Sequence, residues 1–176
     1  MKTLLLLFSF FMLSTLADFS YVHADDKESL TDVTGVAVII DEISPTARKD
    51  DLNEKYIKEF TEDILNRANI ILYKEDKWFQ KFGGAFLLIQ IIASKAESGE
   101  FYAIFVDVEL HQTVVLFGKK LGKNITTTAS TWSIGKLLSC EVENLKPCVA
   151  KSLGELVGLF IKDYKEVKYK IPVDPN

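Results

Sequence analysis

Two apolar segments on either side of a glycine turn constrain this chain more than anything else in it. Phe86-Leu-Leu-Ile-Gln-Ile-Ile-Ala-Ser-Lys95 leads into Ala-Glu-Ser-Gly-Glu. Phe101-Tyr-Ala-Ile-Phe-Val-Asp-Val-Glu-Leu-His111 follows and runs on through Val115 to Phe117. Both arms have the β-branched and aromatic composition of strands, so residues 86–117 are expected to form a hairpin. With Ser98-Gly99 at the centre of a two-residue loop, Glu97 pairs with Glu100. Walking outward, Ala93 meets Ile104, Ile91 meets Val106, Ile89 meets Val108 and Leu87 meets Leu110. That face is wholly apolar. The other face pairs Ile92 with Phe105, Gln90 with Asp107 and Leu88 with Glu109. A slip of one residue would exchange the two faces, so the composition itself sets the register. Such a hairpin needs a cover on its oily side only.

The rest of the chain supplies that cover. Gly35-Val-Ala-Val-Ile-Ile40 is an unbroken apolar run, expected as a central strand buried on both faces. Ser44-Pro45 suits a helix start. Leu52, Tyr56, Phe60 and Ile64 recur every four residues with Ile57 and Leu65 beside them, predicting an amphipathic helix over 52–67 capped by Asn69. Residues 70–73 read as a second strand. Trp78 and Phe82, four apart, suit one helical turn plugging the edge of the core. After a glycine-containing turn with Lys119, Lys120 and Lys123, residues 126–134 read as a strand and 135–147 as a connection. The stripe Leu145, Val149, Leu153, Leu156, Phe160 and Tyr164 predicts a final helix over 145–167, with Pro147 tolerated in its first turn. The order β-α-β-β-β-β-α implies an α+β two-layer sandwich: a mixed, mostly antiparallel sheet with two helices on one face.

The first 24 residues have the character of an export signal: Lys2, a short apolar stretch, then small and polar residues ending at Ala24, with Ala17 as a second cleavage point. Residues 25–176 are then one domain, periplasmic or secreted, with no membrane span expected in the mature chain. The net charge is −4 and no basic stripe runs along the chain, which disfavours a nucleic-acid partner. Cys140 and Cys148 form an even pair in an oxidising compartment and are expected to bond. A metal site would lack further ligands nearby, and the spacing is not that of a redox pair. Asn124-Ile125-Thr126 matches the glycosylation triplet.

Four segments together carry a resemblance: the Gly-Val-x-Val strand from Gly35, Leu65-Asn-Arg-Ala-Asn-Ile70 at the end of the first long helix, the threonine-rich strand reaching Trp132, and Phe160-Ile-Lys-Asp-Tyr164. The chain resembles a family of uncharacterised secreted bacterial proteins. In its order of elements it is similar, more distantly, to the N-terminal domain of TolB and to CsgG-like envelope domains. The resemblance implies an envelope setting and brings no catalytic residue with it.

Chemistry has few candidates. Asp107, Glu109 and His111 share one strand face and form the cluster with metal-ligand side chains, but alternate residues stand about 7 Å apart along a strand, and a solvated outer face accounts for them. No serine elbow, phosphate loop or dinucleotide motif occurs, so neither a catalytic group nor a cofactor is expected. Leu88, Ile92, Phe101 and Phe105 remain as an apolar patch on the face the helices need not cover, which is expected to bind a protein partner or a second copy. The expected role is a non-catalytic binding or scaffolding protein of the bacterial cell envelope. The alternative is a small exported enzyme, metal-dependent through Asp107, Glu109 and His111.

Overall fold

The computed structural model describes residues 19–22, 26–41, 43–118 and 123–170. The basic turn at Lys119 and Lys120, the tail from Ile171, and the expected leader apart from residues 19–22 lie outside the described residues. In chain order the elements are β1 (Phe19–Val22), β2 (Gly35–Ile40), α1 (Pro45–Lys49), α2 (Glu54–Arg67), β3 (Gly84–Lys95), β4 (Phe101–Gly118), β5 (Lys123–Glu141) and α3 (Leu145–Lys170). They form one five-stranded sheet of order β1-β5-β4-β3-β2, with β2 parallel to β3 and the other neighbours antiparallel. The fold is α+β in two layers.

The β3–β4 hairpin adopts the register its composition demands: Ala93 opposite Ile104, Ile91 opposite Val106, Ile89 opposite Val108 and Leu87 opposite Leu110. All eight side chains are buried. The turn itself closes one residue earlier than expected. The Gly99 N–H donates to the Ala96 carbonyl, and Gly99 takes a φ of 76°, which glycine adopts without steric cost. Over this inner face lie Ile57 and Leu65 of α2 and the stripe Leu145, Val149, Leu153, Leu156 and Phe160 of α3.

The helices depart from expectation in detail. α2 begins at Glu54 because Asn53 caps it, its side chain accepting from the Tyr56 N–H at 2.9 Å. Its most buried line runs through Ile57, Thr61 and Leu65, while Tyr56, Phe60 and Ile64 flank it, half-buried. Thr61 belongs to that line because its hydroxyl is satisfied by the Ile57 carbonyl. Asn69 does terminate the helix in the left-handed region, at a φ of 61°.

Three strand-level expectations and one about the core need correction. β2 is an edge strand, not a central one. Its first four residues are nevertheless buried, and its free side is partly closed by residues 71–73: Val36 N–H donates to the Ile71 carbonyl and Tyr73 N–H to the Val36 carbonyl. That segment makes only an isolated parallel bridge, Leu72 to Val36, rather than a strand. The Tyr73 ring crosses the chain at Gly35, where a Cβ would stand 2.9 Å from it. The stretch expected as a connection after residue 134 is strand, since β5 continues to Glu141 with Cys140 inside it. Phe82 is 91% exposed and not core; Trp78 alone packs, against Phe86 at 4.9 Å.

The Cys140–Cys148 disulfide joins the end of β5 to the first turn of α3. Between Leu110 and His111 the β4–β5 pairing shifts by one residue, leaving Thr131 as the extra one. Gln112 secures this bulge, donating from Nε2 to the Thr131 hydroxyl and to the Ser29 carbonyl.

Candidate site on the outer sheet face

Strand alternation sends Phe86, Leu88, Gln90 and Ile92 of β3 and Phe101, Phe105, Asp107, Glu109 and His111 of β4 to the face opposite the helices. The register arranges them in rows across three strands: Ile92, Phe105 and Leu137; Gln90, Asp107 and Gly135; Leu88, Glu109 and Ser133; Phe86, His111 and Ser130. The first row is apolar and the others are mixed or polar.

At the apolar end, Ile92 is 63% exposed, Leu137 53% and Phe101 42%. Leu88 and Phe105 are half-buried. Phe105 lies down because Gly135 leaves it room: a Cβ at 135 would stand 2.6 Å from the Phe105 ring and 3.0 Å from an Asp107 oxygen. All four expected patch residues therefore share one face, with Ile92 and Phe101 its open members. Leu137 belongs with them, outside the expected patch because it lies in the stretch 135–147 expected as a connection. The period-2 pattern does continue through Trp132, Ile134, Leu138 and Cys140 on the inner side. Lys136 interrupts it, an inward position whose ammonium reaches Glu155 of α3 at 3.0 Å. Beside Phe101 a hollow opens, lined by Gly99, Glu100, Glu141, Val142 and Glu143, so the patch has an acidic rim.

At the polar end, Asp107, Glu109 and His111 are drawn together through Glu109. Its carboxylate meets His111 Nε2 at 2.8 Å, and its charge bears on the Asp107 carboxyl on its other side along the strand. His111 in turn stacks on Phe86 at 4.8 Å, and Trp78 packs against the same ring at 4.9 Å. Burial pushes the Asp107 carboxyl up to about 6, helped by the Glu109 charge beside it. Among the described residues no group of three His, Cys, Asp or Glu side chains is arranged to hold a metal ion. The three side chains satisfy one another along the strand instead of converging on a point.

A second polar cluster, absent from the sequence expectations, closes the turn end of the inner face. Asp50, just past α1, accepts from Tyr102 Oη and Lys95 Nζ, each at 2.8 Å. The Lys95 bond, then that of Tyr102, holds the Asp50 carboxyl below its usual range, while burial raises the Tyr102 phenol. Lys95 and Tyr102 are register partners in the hairpin, so the cluster anchors α1 to it.

No protein-family model and no curated protein matches the chain. Solved structures that align over most of it include two of one protein. One is the PelC dodecamer from Paraburkholderia phytofirmans, 14% identical, covering 80% of this chain and 94% of that one at a TM-score of 0.42. The other is a single-substitution variant of that dodecamer, 13% identical, covering 84% and 95% at 0.40. Similarity at this level assigns this chain neither a fold nor a role. Among the described residues no helix is long and apolar enough to cross a membrane.

Proposed function

We propose that this chain is a non-catalytic binding or scaffolding protein of the bacterial cell envelope, acting through the outer face of its sheet. The observation that carries the proposal is the open row Ile92, Phe105 and Leu137, with Phe101 beside it, on the face opposite the helices. Contiguous exposed apolar side chains of this kind mark contact surfaces. The acidic rim of Glu100, Glu141 and Glu143 favours a protein partner that offers an apolar patch flanked by basic groups. The disulfide suits an oxidising compartment outside the cytoplasm. The resemblance to secreted bacterial proteins, and by order of elements to TolB N-terminal and CsgG-like domains, agrees with that setting by analogy.

The test is capture from envelope extract with the exported protein as bait, beside Ile92→Asp. Ile92 is exposed and offers a cleaner probe than Phe105, whose ring lies over Gly135. The variant is expected to lose the captured partner while its stability stays within about 0.5 kcal/mol of the parent. Equal capture by both proteins would remove the outer face from consideration, and an unfolded Ile92→Asp would show that face to be core.

A further inference from the structure

Phe82 and Phe117 are the most exposed large apolar side chains among the described residues, at 91% and 82%. Two separate segments carry them, and the sheet brings both to one end. The last β3–β4 pair is Ala85 with Gln112, while β4–β5 pairing runs on through Val115 with Thr126 to Gly118 with Lys123. β4 and β5 thus project as a two-stranded arm, roughly 16 Å beyond Thr113 at the usual strand rise. The loop 78–82 enters β3 at Gly84, beside the root of this arm.

The loop is tied down, yet its rings face outward. The Phe82 carbonyl accepts from the Thr34 hydroxyl at 2.8 Å, the Lys81 carbonyl accepts from the Gly84 N–H at 2.9 Å, and Trp78 packs on Phe86. Phe79 and Phe82 nevertheless stand exposed. On the arm, Val115 and Phe117 alternate with Leu116, whose register partner is Ile125, and all four are exposed, so both faces of the ribbon are apolar.

Lysine accompanies these apolar side chains. Lys74, Lys77 and Lys81 are exposed in and around the loop. Against them stand Asp76 and, across Gly83, Asp32, while Glu75 is held by Lys58. Between Glu109 and Glu141 the sequence has no acid, and its formal charges there are lysines, in a chain whose net charge is −4.

A single apolar face suits a protein partner. A ribbon apolar on both sides, beside exposed rings on a second segment, is covered all round by a fluid apolar medium. Aromatic rings interleaved with lysines settle at a bilayer surface, the rings at headgroup level and the ammonium groups on anionic phosphates. The backbone limits the depth. Beyond Thr113 the free edge of β4 has no ladder partner among the described residues. Hydrocarbon would strand its N–H and C=O groups, whereas headgroups and water satisfy them.

We infer that this end of the molecule docks on an anionic phospholipid bilayer, with Phe79, Phe82, Val115, Leu116, Phe117 and Ile125 at the boundary of headgroups and acyl chains and Lys77 and Lys81 on the lipid phosphates. It lies at the opposite end of the β3–β4 hairpin from Ile92 and Phe101, so a docked chain leaves the outer apolar row open to a partner.

The exported protein is floated with vesicles of phosphatidylcholine alone and of phosphatidylcholine mixed with an equal part of phosphatidylglycerol. It is expected to bind the mixed vesicles about tenfold better than the neutral ones, and less well as salt rises. Phe82→Ser with Phe117→Ser, and separately Lys77→Glu with Lys81→Glu, are expected to lose most of this binding with an unchanged melting temperature. Because lost binding and lost folding look alike in flotation, insertion is also read directly. Phe82→Trp and Ile92→Trp are each mixed with anionic vesicles whose acyl chains carry bromine; Trp78 and Trp132 are common to both. Phe82→Trp is expected to be quenched and Ile92→Trp to match the parent. Equal binding to neutral vesicles, or Phe82→Trp quenched no more than the parent, overturns the inference. A parent that stays off both kinds of vesicle overturns it too, including one that forms a soluble oligomer and so gives this end to a second copy.

Discussion

Asp107 gives the outer face its pH dependence. Its carboxyl lies over Gly135 beside the Phe105 ring, with Glu109 two residues along the same strand, and its pKa is pushed from 3.8 to about 6. The folded chain thus binds this proton more tightly than the unfolded chain does. The native state carries a penalty above pH 6 that is relieved as pH falls from about 6 toward 4. Asp107→Asn is expected to stabilise the protein at pH 7 by on the order of 1–2 kcal/mol and to flatten this part of the curve. Urea midpoints measured from pH 4 to 7 read both effects. A difference between parent and variant that shrinks as pH rises would contradict the assignment. The sequence could place Asp107, Glu109 and His111 on one face. It could not show that Glu109 joins the other two, since side-chain direction along the strand decides that. Nor could it show that a glycine on β5, two strands from Gln90, makes room for Phe105 and so helps to bury Asp107.

At the scale of elements, the disulfide fixes where α3 starts relative to β5. The loop it closes is short, so the bridge contributes roughly 2–3 kcal/mol on a chain-entropy basis. Replacing both cysteines, Cys140→Ser with Cys148→Ser, is expected to lower the unfolding free energy by that amount, read as a lower denaturant midpoint. Reductant should bring the parent to the same midpoint. A parent indifferent to reductant would show that the bridge adds nothing. Other contacts keep the helix docked: Trp132 Nε1 donates to Asp163 at 3.2 Å, and Lys136 pairs with Glu155. α3 was the most legible element, because an apolar stripe sustained over five turns has one interpretation. β5 was the least legible, because Gly135 and Lys136 together imitate the end of a strand. Residues 70–73 misled in the opposite sense: their strand-like composition is spent on a single bridge to Val36, and the chain then turns away.

At the scale of the molecule, the two-layer arrangement followed from the hairpin alone. One wholly apolar face required two helical stripes, and the chain has two. What the sequence could not give was the order of strands. An all-apolar run such as Gly35-Val-Ala-Val-Ile-Ile40 reads alike whether a neighbouring strand or the passing segment 71–73 shields it. The run of β4 and β5 past the last β3 pair, Ala85 with Gln112, was equally hidden, since alternation cannot tell where a neighbour strand stops. One strand adds a consequence of its own. β1 (Phe19–Val22) pairs with residues 134–137 of β5 and falls between the two expected cleavage points, Ala17 and Ala24. Processing after Ala17 would leave a mature sheet of five strands; processing after Ala24 would leave four and bare the backbone of β5 along Ile134, Gly135, Lys136 and Leu137. Amide exchange at the N–H groups among them that point to β1 is expected to be slow in a chain that begins at Asp18 and fast in one that begins at Asp25, while those bonded to β4 stay protected in both. If the leader is cut, the position of the cut would then decide, by covalent means, which strand forms that edge of the sheet.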